Sequence, residues 1–343
     1  MSSPPSSAAA ASVVAPHRMR KHSAFRRLLV APAGAILVAF LALQAMCIAY
    51  ALINPDEFRY ISSQNLTILM KAIPVLGCLA LGVGVLMIAG EFDLSVGSVY
   101  TLTAIVMAVQ VGAGLNPFLA AALAILIGIV IGVLHGTITL KASLPSFIVT
   151  LGGLLFWRGA VLLYNGAVQV RFDPGPTFQG LFGGTFLGIN AAFWWFIALS
   201  IAFYCLLHRH RFGNHVFATG GNQPAATAIG IDTGRVKIIA FAIAGGMAAF
   251  AGILATVRVG SVQPGQGVGI ELQAIAACVI GGLSLTGGRG SILGIFLGAM
   301  LIHTITDVLL LLRAPGFYLD MFIAVLIVGA SAFNRFIERK GAG

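Results

Sequence analysis

The sequence predicts an all-α polytopic membrane protein of about ten transmembrane helices, and three observations carry that prediction. Hydrophobic residues make up 59% of the 343 and charged residues only 9%, with a mean hydropathy of +0.99, which is too apolar for a water-facing domain. The apolar residues fall into runs of the length that crosses the ~30 Å hydrocarbon core, about 20 residues of helix each. The net charge of +10 is dispersed to the ends of those runs and not gathered into one basic face. Such a distribution follows the bias of cytoplasmic loops toward Lys and Arg and argues against nucleic-acid binding.

Taken in order, residues 1–27 are rich in Ser, Pro and Ala and then basic, which predicts a disordered cytoplasmic tail. The apolar run that begins at Leu28 is too long for the core of a signal peptide, so cleavage is not expected. A membrane domain follows over 28–335, with spans at 28–52, 65–89, 94–112, 117–140, 146–164, 190–207, 238–257, 270–284, 290–312 and 317–334. Residues 336–343 form a short C-terminal tail. With the N-terminus inside, the cytoplasmic segments hold Arg18, Arg20, Lys21, Arg26, Arg27, Lys141, Arg209, Arg211, Arg235, Lys237, Arg289, Arg335, Arg339 and Lys340. The remaining cations are Arg59, Lys71, Arg158, Arg171, Arg258 and Arg313. That asymmetry favours ten spans with both termini cytoplasmic, because omitting the short eighth span would carry Arg289 and the basic C-terminus outside.

Within the spans, Cys47, Cys78, Cys205 and Cys278 lie in apolar runs without CxxC spacing and read as buried, inert thiols. Trp194 and Trp195, opening the sixth span, read as interfacial anchors. Gly128, Gly132 and Gly136 form a four-residue ladder, as do Gly294 and Gly298, and both predict close helix packing. The segments 128–147 and 294–317 share a Gly-x-x-x-Gly, a His beside Thr-Ile-Thr, and a Pro-x-Phe. They lie on spans of opposite direction, which suggests an inverted repeat with a pathway at the repeat interface.

Two segments stand out as candidates for function. In Gly90-Glu91-Phe92-Asp93-Leu94-Ser95-Val96-Gly97-Ser98, two carboxylates sit at a membrane boundary, where they are costly unless they cap, pair or face water. Asp93 is placed to cap the next helix, and Gly90 and Gly97 permit a tight reversal. Glu91, Asp93 and Ser95 are therefore candidates for capping or for gating, and Glu271 for a mirrored cap. The second segment, 208–237, is a long basic island between oily runs. Asn222 can cap a short helix that has Pro224 in its first turn, continues through Ala225 and Ala226, and stops at Gly230. His303 and Asp307, four residues apart on one helix face, can pair with each other or line an aqueous path. Arg158 can partner an intramembrane acid or reach for the interface.

Four blocks, GEFDLSVGSV (90–99), LPSFIVTLGGL with FWRG (144–159), FGNHVFATGGNQPAATAIGI (212–231) and IELQAIAACVIGGLSLTGGRGSILG (270–294), together resemble the membrane permease of ribose- and xylose-type ABC sugar importers. The resemblance runs from about residue 60 to 335. It implies a type II importer fold in the bacterial inner membrane, a second permease copy, a separate cytoplasmic ATPase and a periplasmic sugar-binding protein. It also implies that 208–237 is the ATPase-coupling loop, with Gly221, Asn222, Gln223, Pro224, Ala225, Ala226, Gly230 and Ile231 as its signature. The chain departs from the family where Gly90-Glu91-Phe92-Asp93 replaces Gly-Gly-Ile-Asp, and where His303, Thr304, Thr306 and Asp307 replace an Asn-rich stretch.

No Gly-x-x-x-x-Gly-Lys-Ser/Thr and no Gly-Lys dipeptide occurs, so no phosphate-cradling loop is expected here, and ATP would be bound by the partner. No nucleophile–base or metal-ligand pattern is present either, so the expectation is a transporter subunit, not an enzyme, with no cofactor of its own. An ABC permease for an amino acid or another small polar solute is the near alternative. An ion-coupled secondary transporter using Asp307 is the more distant one.

Overall fold

The structure, a computed structural model, describes residues 32–318, 321–326, 328–329 and 332. The predicted tails at 1–27 and 336–343, with their seven cations, lie outside the described residues. Within them the chain is helical almost throughout. Helix α1 (Pro32–Ile53) is followed by α2 (Ser63–Ile88), α3 (Val96–Gly112), α4 (Pro117–Lys141) and α5 (Ser146–Asn165). A short excursion comprises β1 (Val170–Arg171), α6 (Pro176–Gly183), β2 (Thr185–Phe186) and β3 (Ile189–Asn190). Then come α7 (Ala191–His208), α8 (Arg211–Gly221), α9 (Gln223–Ala228), α10 (Thr233–Val259), β4 (Ser261–Val262), α11 (Ile270–Ile280) and α12 (Ile292–Leu311). The strands make only two antiparallel pairs, β1 with β4 and β2 with β3.

Seven of these helices, α1, α2, α4, α5, α7, α10 and α12, are long and apolar enough to cross a membrane. The predicted spans at 94–112 and 270–284 prove to be shorter helices of 17 and 11 residues, α3 and α11. Of the predicted span at 317–334, the described residues include a helical stretch at 321–326.

Helix α10 is the axis of the bundle, packed against α2, α3 and α4. Small residues make that possible. A side chain on Gly128 would overlap the carbonyl of Gly245, and one on Gly132 the carbonyl of Phe241, so the predicted ladder seats α4 against the α10 backbone. The second ladder works alike: Gly294 and Gly298 fit α12 against Gly281 and Ala277 of α11. The outer helices turn Leu126, Val130, Leu155, Phe156 and Ile201 outward, the lipid-facing side of such a bundle. Cys205 corrects its expectation: it is exposed on α7, while Cys47, Cys78 and Cys278 are buried. Trp194 and Trp195 donate their indole N–H groups to the carbonyls of Phe186 and Leu181 and thereby fasten α7 to β2 and α6.

Candidate functional site

The chain between α2 and α3 leaves the helical path: Gly90 is left-handed at φ +87°, residues 91–93 have no regular structure, and Ser95 caps α3. Glu91 pairs with Lys237, near the start of α10, whereas the carbonyl of Tyr100 faces Gly252 on the same helix. Residues 93–105 are all buried, so helix α3 begins within the bundle. Helix α11, preceded by the irregular stretch 263–269, begins beside it: a Cβ on Gly97 would overlap the carboxylate of Glu271, and one on Gly267 the carbonyl of Gly97. Two broken helices thus meet with their N-termini together, where their unpaired amides concentrate positive potential.

A cavity of about 430 Å³ opens at this junction. Ala72, Val75 and Leu76 of α2 form its apolar wall, next to Pro74, which cannot donate to the carbonyl one turn back. Its polar lining is Tyr100, Arg258, Ser261, Gln263, Gln266, Gln273 and His303. Gln266 donates to the Tyr100 hydroxyl at 3.2 Å and accepts from the Gln263 amide at 3.3 Å, so the loop side of the cavity is held by its own hydrogen bonds. Only His303 of these was anticipated. Arg258 looked like a helix-end cation, and the three glutamines are drawn together only by the fold.

His303 and Asp307 do not pair. Asp307 accepts a hydrogen bond from Asn65 Nδ2 at 2.8 Å, joining α12 to the start of α2, and His303 faces the cavity. Near it, Gln44 of α1 accepts from the Tyr60 hydroxyl at 2.6 Å. Burial pushes the Tyr60 phenol up from its ordinary range. Arg158 lines a small recess with Ser98, Thr101 and Gly267. Glu271 stands in the first turn of α11, whose cap position is Gly269, with its Oε2 buried and without a hydrogen-bond partner.

Asp93 caps differently from expectation. Its Oδ1 accepts from the Ser95 amide at 2.7 Å and the Ser95 hydroxyl at 2.5 Å, and Ser95 is itself the cap residue of α3. Ser95 Oγ lies 3.1 Å from His135 Nδ1, and Trp157 donates to His135 Nε2 at 3.1 Å. Because Nε2 accepts, the proton of a neutral His135 is on Nδ1, facing Ser95 and Asp93. This buried chain ties α3, α4 and α5 at the break, and the close fit of Gly153 against His135 permits it.

At the end of the bundle bearing Glu91, the anticipated loop 208–237 contains two helices, α8 and α9, and not one. The Asn222 side chain accepts from the Ala225 amide at 3.1 Å, Pro224 stands in the first turn of α9, and Gly230 ends it at φ +87°. Gly221, Asn222, Gln223, Pro224 and Ala225 are exposed, Ala226 is buried beneath them, and Ile231 is half-buried. Ile229 protrudes, 76% exposed. Lys237 is not a loop cation: it lies buried in α10, 2.6 Å from Glu91 Oε1, and donates to Gln223 Oε1 at 2.8 Å.

Residues 65–331 match the family model described as branched-chain amino acid transport system / permease component. The chain is 36% identical over 278 residues to the Autoinducer 2 import system permease protein LsrC of Salmonella choleraesuis (strain SC-B67), covering 81% of this chain and 80% of that protein. It is 33% identical over 293 residues to the protein of the same name from Escherichia coli (strain K12 / DH10B), covering 85% of each. No solved structure matches.

Proposed function

We infer the function from one premise: the chain belongs to the branched-chain amino acid transport system / permease component family. It is accordingly a membrane permease subunit. We propose that it imports a small, hydroxyl-rich solute of the monosaccharide class across the bacterial inner membrane. The work comes from a separate cytoplasmic ATPase acting on α8–α9, and the solute from a periplasmic binding protein.

The single observation that carries the solute class is the lining of the 430 Å³ cavity. One guanidinium, one imidazole, a phenol, a serine and three carboxamides can donate to and accept from sugar hydroxyls in many orientations. Among the described residues the lining holds no carboxylate to receive the ammonium of an amino acid, which would lie desolvated beside Arg258. The relatives named for autoinducer 2 import make that compound a natural member of the test panel.

The mechanism we propose is alternating access. Closure of the ATPase displaces α8–α9, whose Gly220 packs against Ile88 at the break between α2 and α3, and the cavity where α3 and α11 meet is exposed to each side in turn. A second copy of this chain or of a related permease completes the pathway. The test is reconstitution with the ATPase and binding protein, followed by uptake of pentoses, hexoses, deoxyhexoses, autoinducer 2 and amino acids. ATP-dependent uptake of a hydroxylated solute is expected, whereas uptake of amino acids alone would overturn the solute assignment.

A further inference from the structure

One ammonium group joins the exposed α8–α9 end to the interior break. Lys237 Nζ lies 2.6 Å from Glu91 Oε1 and donates to Gln223 Oε1 at 2.8 Å, with both charged side chains only 11% exposed. Three elements meet there: the first residue of α9, the second turn of α10, and the irregular segment between α2 and α3. The surrounding backbones leave little slack. The Gly288 amide donates to the carbonyl of Ile88 at 2.8 Å, and a side chain on Gly220 would overlap that same carbonyl.

Burying both charges costs desolvation that an apolar pair of similar volume would avoid, so stability alone does not account for the pair. Directionality does. A charged, hydrogen-bonded junction resists sliding in a way that apolar packing does not, because displacement of either partner strands a buried charge. Beyond Glu91, the Phe92 and Leu94 amides are each held at 3.1 Å by Ser146 Oγ and Thr150 Oγ1 of α5.

We propose that Gln223, Lys237 and Glu91 form a transmission latch. They are positioning residues that carry a displacement of α9 into the segment 89–95, and through it to α5 and the start of α3. The latch rests on the reading of α8–α9 as the face on which an ATPase acts.

The experiment measures solute moved per ATP hydrolysed in vesicles containing the complete importer, for wild type, Glu91→Gln and Gln223→Ala. The expected result is that each variant lowers this ratio about tenfold, in keeping with the strength of a hydrogen bond to a charged group, while ATP hydrolysis by the assembled complex persists. A static strut would instead lower thermal stability and leave the ratio alone. Should Glu91→Gln fail to assemble, Gln223→Ala decides, since it leaves the ion pair in place. A wild-type ratio in Gln223→Ala overturns the latch. Wild-type uptake without ATP hydrolysis overturns the reading beneath it, and the latch with it.

Discussion

Arg258 carries the fixed positive charge of the cavity, and its removal should be felt in binding before it is felt in folding. Hydrogen bonds from a charged donor are worth about 1.5–3 kcal/mol, so Arg258→Met is expected to raise the half-saturating solute concentration at least about tenfold. The concentration dependence of uptake measures this, with assembly confirmed by co-purification of the partners. The sequence could not single out Arg258, because an Arg in the last turn of an apolar helix resembles an interfacial anchor. The residues that make it part of a site, Gln263, Gln266, Gln273 and His303, come from a loop and two other helices. A pattern at i and i+4 was visible for His303 and Asp307, yet geometry overruled it. Asn65, more than two hundred residues earlier in the chain, satisfies Asp307 and frees His303 for the cavity. The Asp93–Ser95–His135–Trp157 chain makes a second prediction at this scale. Trp157→Phe leaves His135 Nε2 buried without its donor and should destabilise the protein by about 1–3 kcal/mol, read as a lower melting temperature in detergent.

Helices in this molecule are fitted by glycine, and the fit separates positions that look alike in sequence. Gly132 and Gly152 both lie within apolar helices. A methyl group at Gly132 would collide with the Phe241 carbonyl of α10, whereas one at Gly152 meets nothing within 4 Å. Gly132→Ala should therefore force α4 from the axis and sharply reduce folded yield. Gly152→Ala should be neutral or stabilising by up to ~1 kcal/mol from helix propensity. Equal yields for the two would contradict the packing described. Such ladders were legible because small residues at a spacing of four are a backbone-contact signal whatever the partner. The broken helices were not. Apolarity counts residues and is blind to where a helix starts and stops, so 94–112 and 270–284 looked like full spans although their helices are only 17 and 11 residues long. The short helix after Asn222 was legible from its cap, its proline and its glycine stop, but the preceding α8 was not, being rich in the Gly and His of an ordinary loop. Gly230 holds a left-handed conformation that a β-branched side chain adopts only at a cost of about 1–2 kcal/mol. Gly230→Val should accordingly distort the end of α9 and reduce uptake more than insertion, as measured by transport normalised to protein in the membrane.

For the molecule as a whole, function depends on which end faces the ATPase, and the charges at the two ends make that testable. The end bearing α8 and α9 exposes Lys141, Arg209, Arg211, Arg235 and Arg289, with Asp232 paired to Arg235 at 3.0 Å. At the other end the exposed Arg59, Arg171, Arg258 and Arg313 are accompanied by Asp56, Glu57 and Asp173. Each cation near an anionic cytoplasmic leaflet contributes about 1 kcal/mol, so the difference predicts an orientation with α8–α9 inside, as the proposed function requires. Thr227 lies exposed on α9 and offers a place to read this directly. A Thr227→Cys variant, made with the exposed Cys205 changed to Ala, should react with a membrane-impermeant maleimide in inverted vesicles and stay unlabelled in intact spheroplasts. The converse labelling would put α9 on the side that ATP does not reach. No cytoplasmic motor could then act on the Gln223–Lys237–Glu91 junction, and the cavity between α3 and α11 would need another source of work.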